Sequence, residues 1–504
     1  MVGSFLSLLP FVVVIPIALW TKQVIPGLAV GLLIGAYMVH PTIIGGLQST
    51  LDYIIKEIES GNNVNLILFL YGFGAFVGLI RVSGGVKGFS MWMEKRITTE
   101  RGAFGLVWLS SIVTFMAPDF RIITIAPVVK RIFERLGVQK ERVAYAIDVT
   151  ATPLCAVIPL GTAFVGYMVG LMHTSVHHTN TTLSPYQLFI ESIPFNFFAW
   201  VMLVLGFFLT FFIHSSSQKQ PSSHSHHRHR QIENVIALTT AENGTIGLLS
   251  HPQRLNHLAS SKNKESSSDP IEAMAQQVNG HAVHLVLPLA VLLLLTFSLT
   301  YWSGYAHGGR GLIPTLLHAN AADAMLQALV VTLFFMAVFF MLRRQSIARI
   351  MVGFLQGGNE MMPVIVLLIL IWAVSAVSSD LGFAQFCQRE ITRLIPHALI
   401  VPALFIFGCL ISYFIGSSFG TWGMLMPLGF SLAAAGAGSL PLVAGAIFAS
   451  GTFGGFASPL SDNTVAMATM MKLPVMKYAN YKTKSAVIAA TICALIYGVF
   501  AMFR

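Results

Sequence analysis

Apolar stretches of about 17 residues or more are long enough to cross the hydrocarbon core of a bilayer. They recur along this chain with short polar turns between them. In the first half they fall at residues 4–20, 24–45, 64–80, 143–172 and 186–213, and in the second at 282–302, 323–342, 359–379, 441–471 and 484–503. In each half a further apolar stretch, 103–129 or 397–436, lies between the third and fourth spans. Both are interrupted at the middle, the first by Pro118-Asp119-Phe120-Arg121 and the second by Gly416-Ser417-Ser418-Phe419-Gly420-Thr421-Trp422-Gly423. Each fourth span is interrupted as well, by Asp148-Val149-Thr150-Ala151-Thr152-Pro153 and then Pro159, and by Gly455 through Thr464. The pattern predicts an all-α polytopic membrane protein with broken helices.

Unwound backbone at membrane depth survives only where it is buried in protein or lines a hydrated cavity, because unpaired amides and carbonyls are costly in hydrocarbon. The breaks therefore predict an ion or solute site. Basic residues flank 103–129 on both sides (Arg81, Lys87, Lys95, Arg96, Arg101; Lys130, Arg131, Arg135, Lys140, Arg142). A simple span would carry one cluster to the wrong side of the membrane. A re-entrant hairpin turning near Pro118 removes the conflict.

The two halves share a plan. Ser83-Gly84-Gly85-Val86-Lys87-Gly88-Phe89 matches Ser378-Ser379-Asp380-Leu381-Gly382-Phe383, and the prolines Pro127 and Pro427, then Pro153 and Pro459, recur in the same order. Five spans plus a hairpin per half is an odd number, so the copies are expected to be inverted, as in many secondary transporters. The chain divides into a first repeat (1–213), a polar linker (214–281) and a second repeat (282–504). Both termini are expected outside and the linker in the cytoplasm, with Lys472, Lys477, Lys482 and Lys484 at a cytoplasmic turn.

Composition agrees: 55% of residues are hydrophobic and 10% charged, against roughly 25% charged in soluble domains. The formal charge of +10 resides in short loops that set topology, which excludes nucleic acid as a partner. Cys155, Cys387, Cys409 and Cys493 have neither paired nor metal-ligand spacing. Ser4 to Trp20 reads as a first span rather than a signal peptide. The linker carries His224, His226, His227 and His229 among Ser, Asn and Gln; a solvated disordered tract is the plainer reading, with metal binding as the alternative. No phosphate-binding loop of the Gly-x-x-x-x-Gly-Lys-Ser/Thr type occurs, so an ion gradient is the expected energy source.

A charge at the bilayer centre costs at least about 2.5 kcal/mol on insertion scales, so the acids within the breaks, Asp119, Asp148 and Asp462, call for a role. Carboxylate, hydroxyl and carbonyl oxygens suit a small hard cation, and a carboxyl shielded from water can also take a proton. One site can then exchange sodium for protons by competition. Ser417, Ser418, Thr421, Ser458, Ser461, Asn463 and Thr464 are the companions; the bland reading of any one hydroxyl is an ordinary helix hydrogen bond. For Asp119 the bland reading is an ion pair with Arg121, and for Asp148 an interfacial position. Glu191, Glu360 and Asp380 read as span-end residues. Arg121 is also placed to pair with a substrate carboxylate.

At these residues the chain resembles the NhaC-type sodium/proton antiporters of the ion transporter superfamily. The resemblance rests on Ser83-Gly84-Gly85, Ala144 to Pro153, Ser192-Ile193-Pro194-Phe195-Asn196, Gly416 to Thr421 and Ser458 to Thr464. It implies an ion site at Asp148, Thr150, Ser418, Thr421, Ser458, Asp462 and Thr464. The chain departs from the family pattern at Phe456, where an aspartate is usual, and at Pro118, where an acid pair is reduced to Asp119. The expectation is a secondary active transporter of the inner cell membrane, exchanging sodium for protons, with a sodium- or proton-coupled carboxylate or amino-acid carrier as the alternative. It is not expected to be an enzyme. No cofactor or metal is expected beyond the transported ions, and the partners are the lipid bilayer and small ions or solutes, with a homodimer compatible.

Overall fold

The computed structural model describes residues 5–94, 99–115, 117–159, 162–176, 183–212, 280–386 and 396–502, with Ile271, Met274 and Val278. Among these every regular element is helical. The first half contains α1 (Leu9–Thr21), α2 (Val24–Val39), α3 (Ile43–Glu59), α4 (Gly61–Val82), α5 (Gly85–Glu94), α6 (Glu100–Thr114), α7 (Pro118–Leu136), α8 (Lys140–Val149), α9 (Thr152–Cys155), α10 (Ala163–Val176), α11 (Pro185–Ser192) and α12 (Phe197–Phe211). The second contains α13 (Val283–Ala306), α14 (Leu312–Leu317), α15 (Ala321–Leu342), α16 (Ile347–Glu360), α17 (Met362–Asp380), α18 (Phe383–Phe386), α19 (His397–Ile415), α20 (Ser418–Leu432), α21 (Leu440–Ala457), α22 (Asp462–Met471) and α23 (Val475–Met502). Among the described residues six helical runs are long and apolar enough to cross a membrane, and α11 with α12 forms a further apolar pair bent by 46°. The linker histidines and most of 214–281 lie outside the described residues.

The interruptions form where the sequence placed them. Between α6 and α7 the chain turns at Pro118, whose missing N–H costs nothing at a helix start. Hydrogen bonds from Arg121 back to Val107 and Thr114 show the two helices folded on one another. α19 ends at Gly416 in the left-handed conformation (φ 78°), where a side chain would be strained. Ser417 then caps α20, its hydroxyl accepting from the Gly420 amide at 3.1 Å. α21 and α22 are separated by Ser458 to Ser461, with Ser458 and Ser461 both in extended conformation.

One expectation needs correction. α23 begins at Val475, so the turn extended to Lys484 is mostly helix, and Lys482 is fully buried within it rather than facing the cytoplasm. Glu360, expected near a span end, is the last residue of α16, directly before the apolar α17. α16 and α17 form one helical run, Ile347–Asp380, and Glu360 sits at its interior joint, ion-paired with Arg81 at 2.6 Å. Counting apolar residues shortens both helices because polar side chains packed against protein look the same in sequence as polar side chains in water. α16 also docks unusually closely on α4. A methyl at Gly74 or Gly357 would strike the other's carbonyl oxygen, one at Gly78 the Gly353 carbonyl and one at Gly353 the Val82 side chain, so all four positions favour the absence of a side chain.

Candidate functional site

The N-termini of α7, α20 and α22 converge on a cavity of about 60 Å³. Asp119 stands in the first turn of α7 and Asp462 is the first residue of α22. Both open onto the cavity, as do Ser417, Ser418, Ser461 and Asn463. Helix N-termini carry free N–H groups and partial positive charge, which favour ionised carboxylates there. The cavity thus gathers one carboxyl group from each half of the chain, each at a helix N-terminus.

The hydroxyls are oriented by donation to backbone carbonyls. Ser418 donates to Gly451 at 2.9 Å, Ser461 to Gly455 at 2.6 Å, Thr421 to Ser417 at 2.9 Å, Ser458 to Tyr413 at 2.6 Å and Thr464 to Ser458 at 2.6 Å. These are hydrogen bonds within and between helices, as the plainer reading of each hydroxyl has it. A hydroxyl that has given its proton nevertheless retains acceptor lone pairs, so Ser418 and Ser461 present oxygen to the cavity. Asn463 donates its amide to Thr152 at 3.0 Å, which leaves Oδ1 buried and without a protein partner. The result is a concentration of hard oxygen acceptors suited to a small cation.

On the α10 side an aromatic layer seals the cavity. Phe164 and Phe419, which both line it, meet edge-on with centroids 5.2 Å apart; Tyr167 and Trp422 pack behind them. The Tyr167 hydroxyl donates to the Phe419 carbonyl at 2.8 Å.

Of the remaining candidates, Ser458, Thr464 and Thr421 are buried in the break or first turn beside the cavity, while Asp148 and Thr150 belong elsewhere. Asp148 is fully buried, and Oδ2 accepts from both Lys482 (2.5 Å) and Tyr478 (2.6 Å). Thr150 accepts from Arg121 at 2.6 Å. Arg121 neither pairs with Asp119 nor points into the cavity. Its buried guanidinium donates to Thr150, Thr114, Ser110 and the Val107 carbonyl. Lys482 and Tyr478 are the functional-looking residues that sequence reading missed. The available signal was periodicity: Tyr478, Lys482, Ser485 and Ala489 repeat at helical spacing, and all are buried.

A family model described as "Na+/H+ antiporter family" matches residues 181–502. An uncharacterized protein of Haemophilus influenzae is 24% identical over 513 residues, covering 98% of this chain and 90% of that protein. A malate-2H(+)/Na(+)-lactate antiporter of Bacillus subtilis is 36% identical over 105 residues, 20% of this chain and 22% of that one. Two solved structures share the fold. The YdaH transporter of Alcanivorax borkumensis superposes with TM-score 0.58 at 13% identity, over 91% of this chain and 89% of that one. MtrF of Neisseria gonorrhoeae, from a class of antimetabolite efflux pumps, superposes with TM-score 0.55 at 12% identity, over 92% and 85%.

Proposed function

The chain belongs to the Na+/H+ antiporter family, and from that premise we propose that it exchanges sodium for protons across the cytoplasmic membrane at the cavity between Asp119 and Asp462. It is a multi-pass integral membrane transporter and not an enzyme. The observation that carries the proposed site is the opening of two carboxylates, one from each half, onto one small oxygen-lined cavity. A cavity of about 60 Å³ has room for a cation and a water or two, since a water's share of liquid is about 30 Å³.

In this reading the carboxylates of Asp119 and Asp462 hold either a proton or a sodium ion. Sodium entering from the higher concentration takes carboxylate oxygens, the lone pairs of Ser418 and Ser461 and the Asn463 Oδ1, and so displaces the proton. On the other side a proton displaces sodium by the same competition. Sodium is cargo here, and no resident cofactor is invoked. The proposed site comprises Asp119, Ser417, Ser418, Ser461, Asp462 and Asn463, with Thr421, Ser458 and Thr464 holding the breaks in shape.

A second reading, a cation-coupled carrier of small carboxylates, is favoured by the three helix N-termini at the cavity, which suit an anion as well as they suit the two aspartates. Reconstitution in proteoliposomes separates the readings. A pH gradient should drive accumulation of radiolabelled sodium with no organic solute present. Uptake of carboxylates or amino acids without sodium-driven proton movement would overturn the antiport reading.

A further inference from the structure

Lys482 and Asp148 form an ion pair that is entirely closed to solvent, both side chains being 0% exposed. The ammonium lies 4.8 Å from the ring centre of Tyr478 and 5.1 Å from that of Phe456, while the Tyr478 hydroxyl shares the same carboxylate oxygen. Asp148 Oδ1 has no protein partner. The pair bridges α8, at the edge of the first break, to α23, and Phe456 contributes from α21 just before the second. It is thus set beside the transport machinery but outside the cavity that holds Asp119 and Asp462.

An aspartate buried next to a cation pathway is itself an attractive site for sodium or a proton, because an uncompensated buried charge is far more costly than a paired one. A lysine ammonium is a compact point charge on a flexible stem, and here it supplies the positive charge that an ion would otherwise bring. The aromatic faces hold it in place: ring quadrupoles attract a cation most strongly where water is excluded.

We propose that Lys482 is a tethered counter-cation that withholds Asp148 from cargo, so that each transport cycle loads the Asp119–Asp462 cavity alone. Lys482 is then a positioning residue, acting through Asp148. The inference rests on the antiport reading, because it specifies which acids of that exchange carry cargo. It also explains how an acid within the resemblance-implied ion site can be present in this chain without belonging to the cavity.

The test is sodium uptake driven by a pH gradient in proteoliposomes, measured against sodium concentration for wild type, Lys482→Gln, Lys482→Arg and the double variant Asp148→Asn/Lys482→Gln. Removing the lysine alone exposes Asp148 to cargo that it binds and does not release. The maximal rate should fall by about tenfold or more, the effect of about 1.4 kcal/mol, while half-saturating sodium stays the same or decreases. Removing both charges should return rate and half-saturation to within about threefold of wild type, because a buried pair replaced as a unit leaves no stranded charge. Lys482→Arg should lie nearer to wild type than Lys482→Gln. A double variant as slow as Lys482→Gln would return Asp148 to the cargo set and overturn the proposal, as would wild-type transport by Lys482→Gln. Folding loss in the single variant leaves the double variant decisive. Absence of proton-driven sodium uptake in the wild type would instead remove the antiport reading, and this inference with it.

Discussion

The side-chain amide of Asn463 donates to the hydroxyl of Thr152 at 3.0 Å, tying the break in the second half to the break in the first. This bond fixes which end of the Asn463 side chain faces the cavity. Thr152→Val removes the acceptor with little change in shape. Free rotation of the amide should then present a donor to the cation part of the time. Half-saturating sodium is expected to rise by roughly three- to tenfold, the effect of about one hydrogen bond, with the maximal rate less affected. An unchanged sodium dependence would dissociate the bond from binding.

Asp462→Asn keeps the shape and can still cap α22, because Asn caps a helix about as well as Asp. It removes the charge and the exchangeable proton. Transport should fall by about tenfold or more, corresponding to about 1.4 kcal/mol, and the pH dependence should flatten, while insertion into the membrane is retained. Asp119→Asn should act the same way. Near-normal transport by Asp462→Asn with an unchanged pH profile would reduce that residue to a cap.

The charged groups gathered around the breaks set the electrical character of the exchange. Asp148 is paired with Lys482, and Glu360 with Arg81, which leaves the carboxyl groups of Asp119 and Asp462 as the acids that line the cavity. In the antiport reading these two share one exchangeable charge, which a single sodium ion or a single proton neutralises. Exchange should therefore be one for one and indifferent to membrane potential. A charge moved across 100 mV is worth about 2.3 kcal/mol, so an electrogenic exchange would show a potassium diffusion potential clearly. Sodium accumulation driven by such a potential at equal pH would refute the count.

Close approach of α4 and α16 depends on Gly74, Gly78, Gly353 and Gly357. Gly78→Leu must push the helices apart at their tightest point. A loss of stability of about 1–3 kcal/mol is expected from such overpacking, read as a lower thermal midpoint in detergent. Because Glu360 and Arg81 are carried by these two helices, transport should suffer with it. The same substitution at Gly61, with open space around it, is the control.

Topology is tested by single cysteines at Ser222 and Asn180 in a cysteine-free background. The basic turns predict labelling of Ser222 from the cytoplasm and Asn180 from outside. Labelling of both from outside would reject the expected orientation.

The all-helical membrane class and the positions of the breaks were legible in the sequence. Hydrophobic run length is a local property, and glycine, proline and short polar residues inside an apolar run have few meanings in a medium that offers backbone groups no water. Asp119 and Asp462 could likewise be singled out, because an acid within an apolar stretch is conspicuous wherever the chain goes next. Which acids share a cavity was not legible. Asp148 and Asp462 look equivalent along the chain, yet one opens onto the cavity and the other is held by a lysine more than three hundred residues away. Lys482 looked like a turn residue because its charge alone was visible, not the seam that buries it. Pairing across the molecule depends on how helices distant in sequence pack together. A charge in a dry interior takes its meaning from its nearest neighbours, and those neighbours exist only in the folded structure.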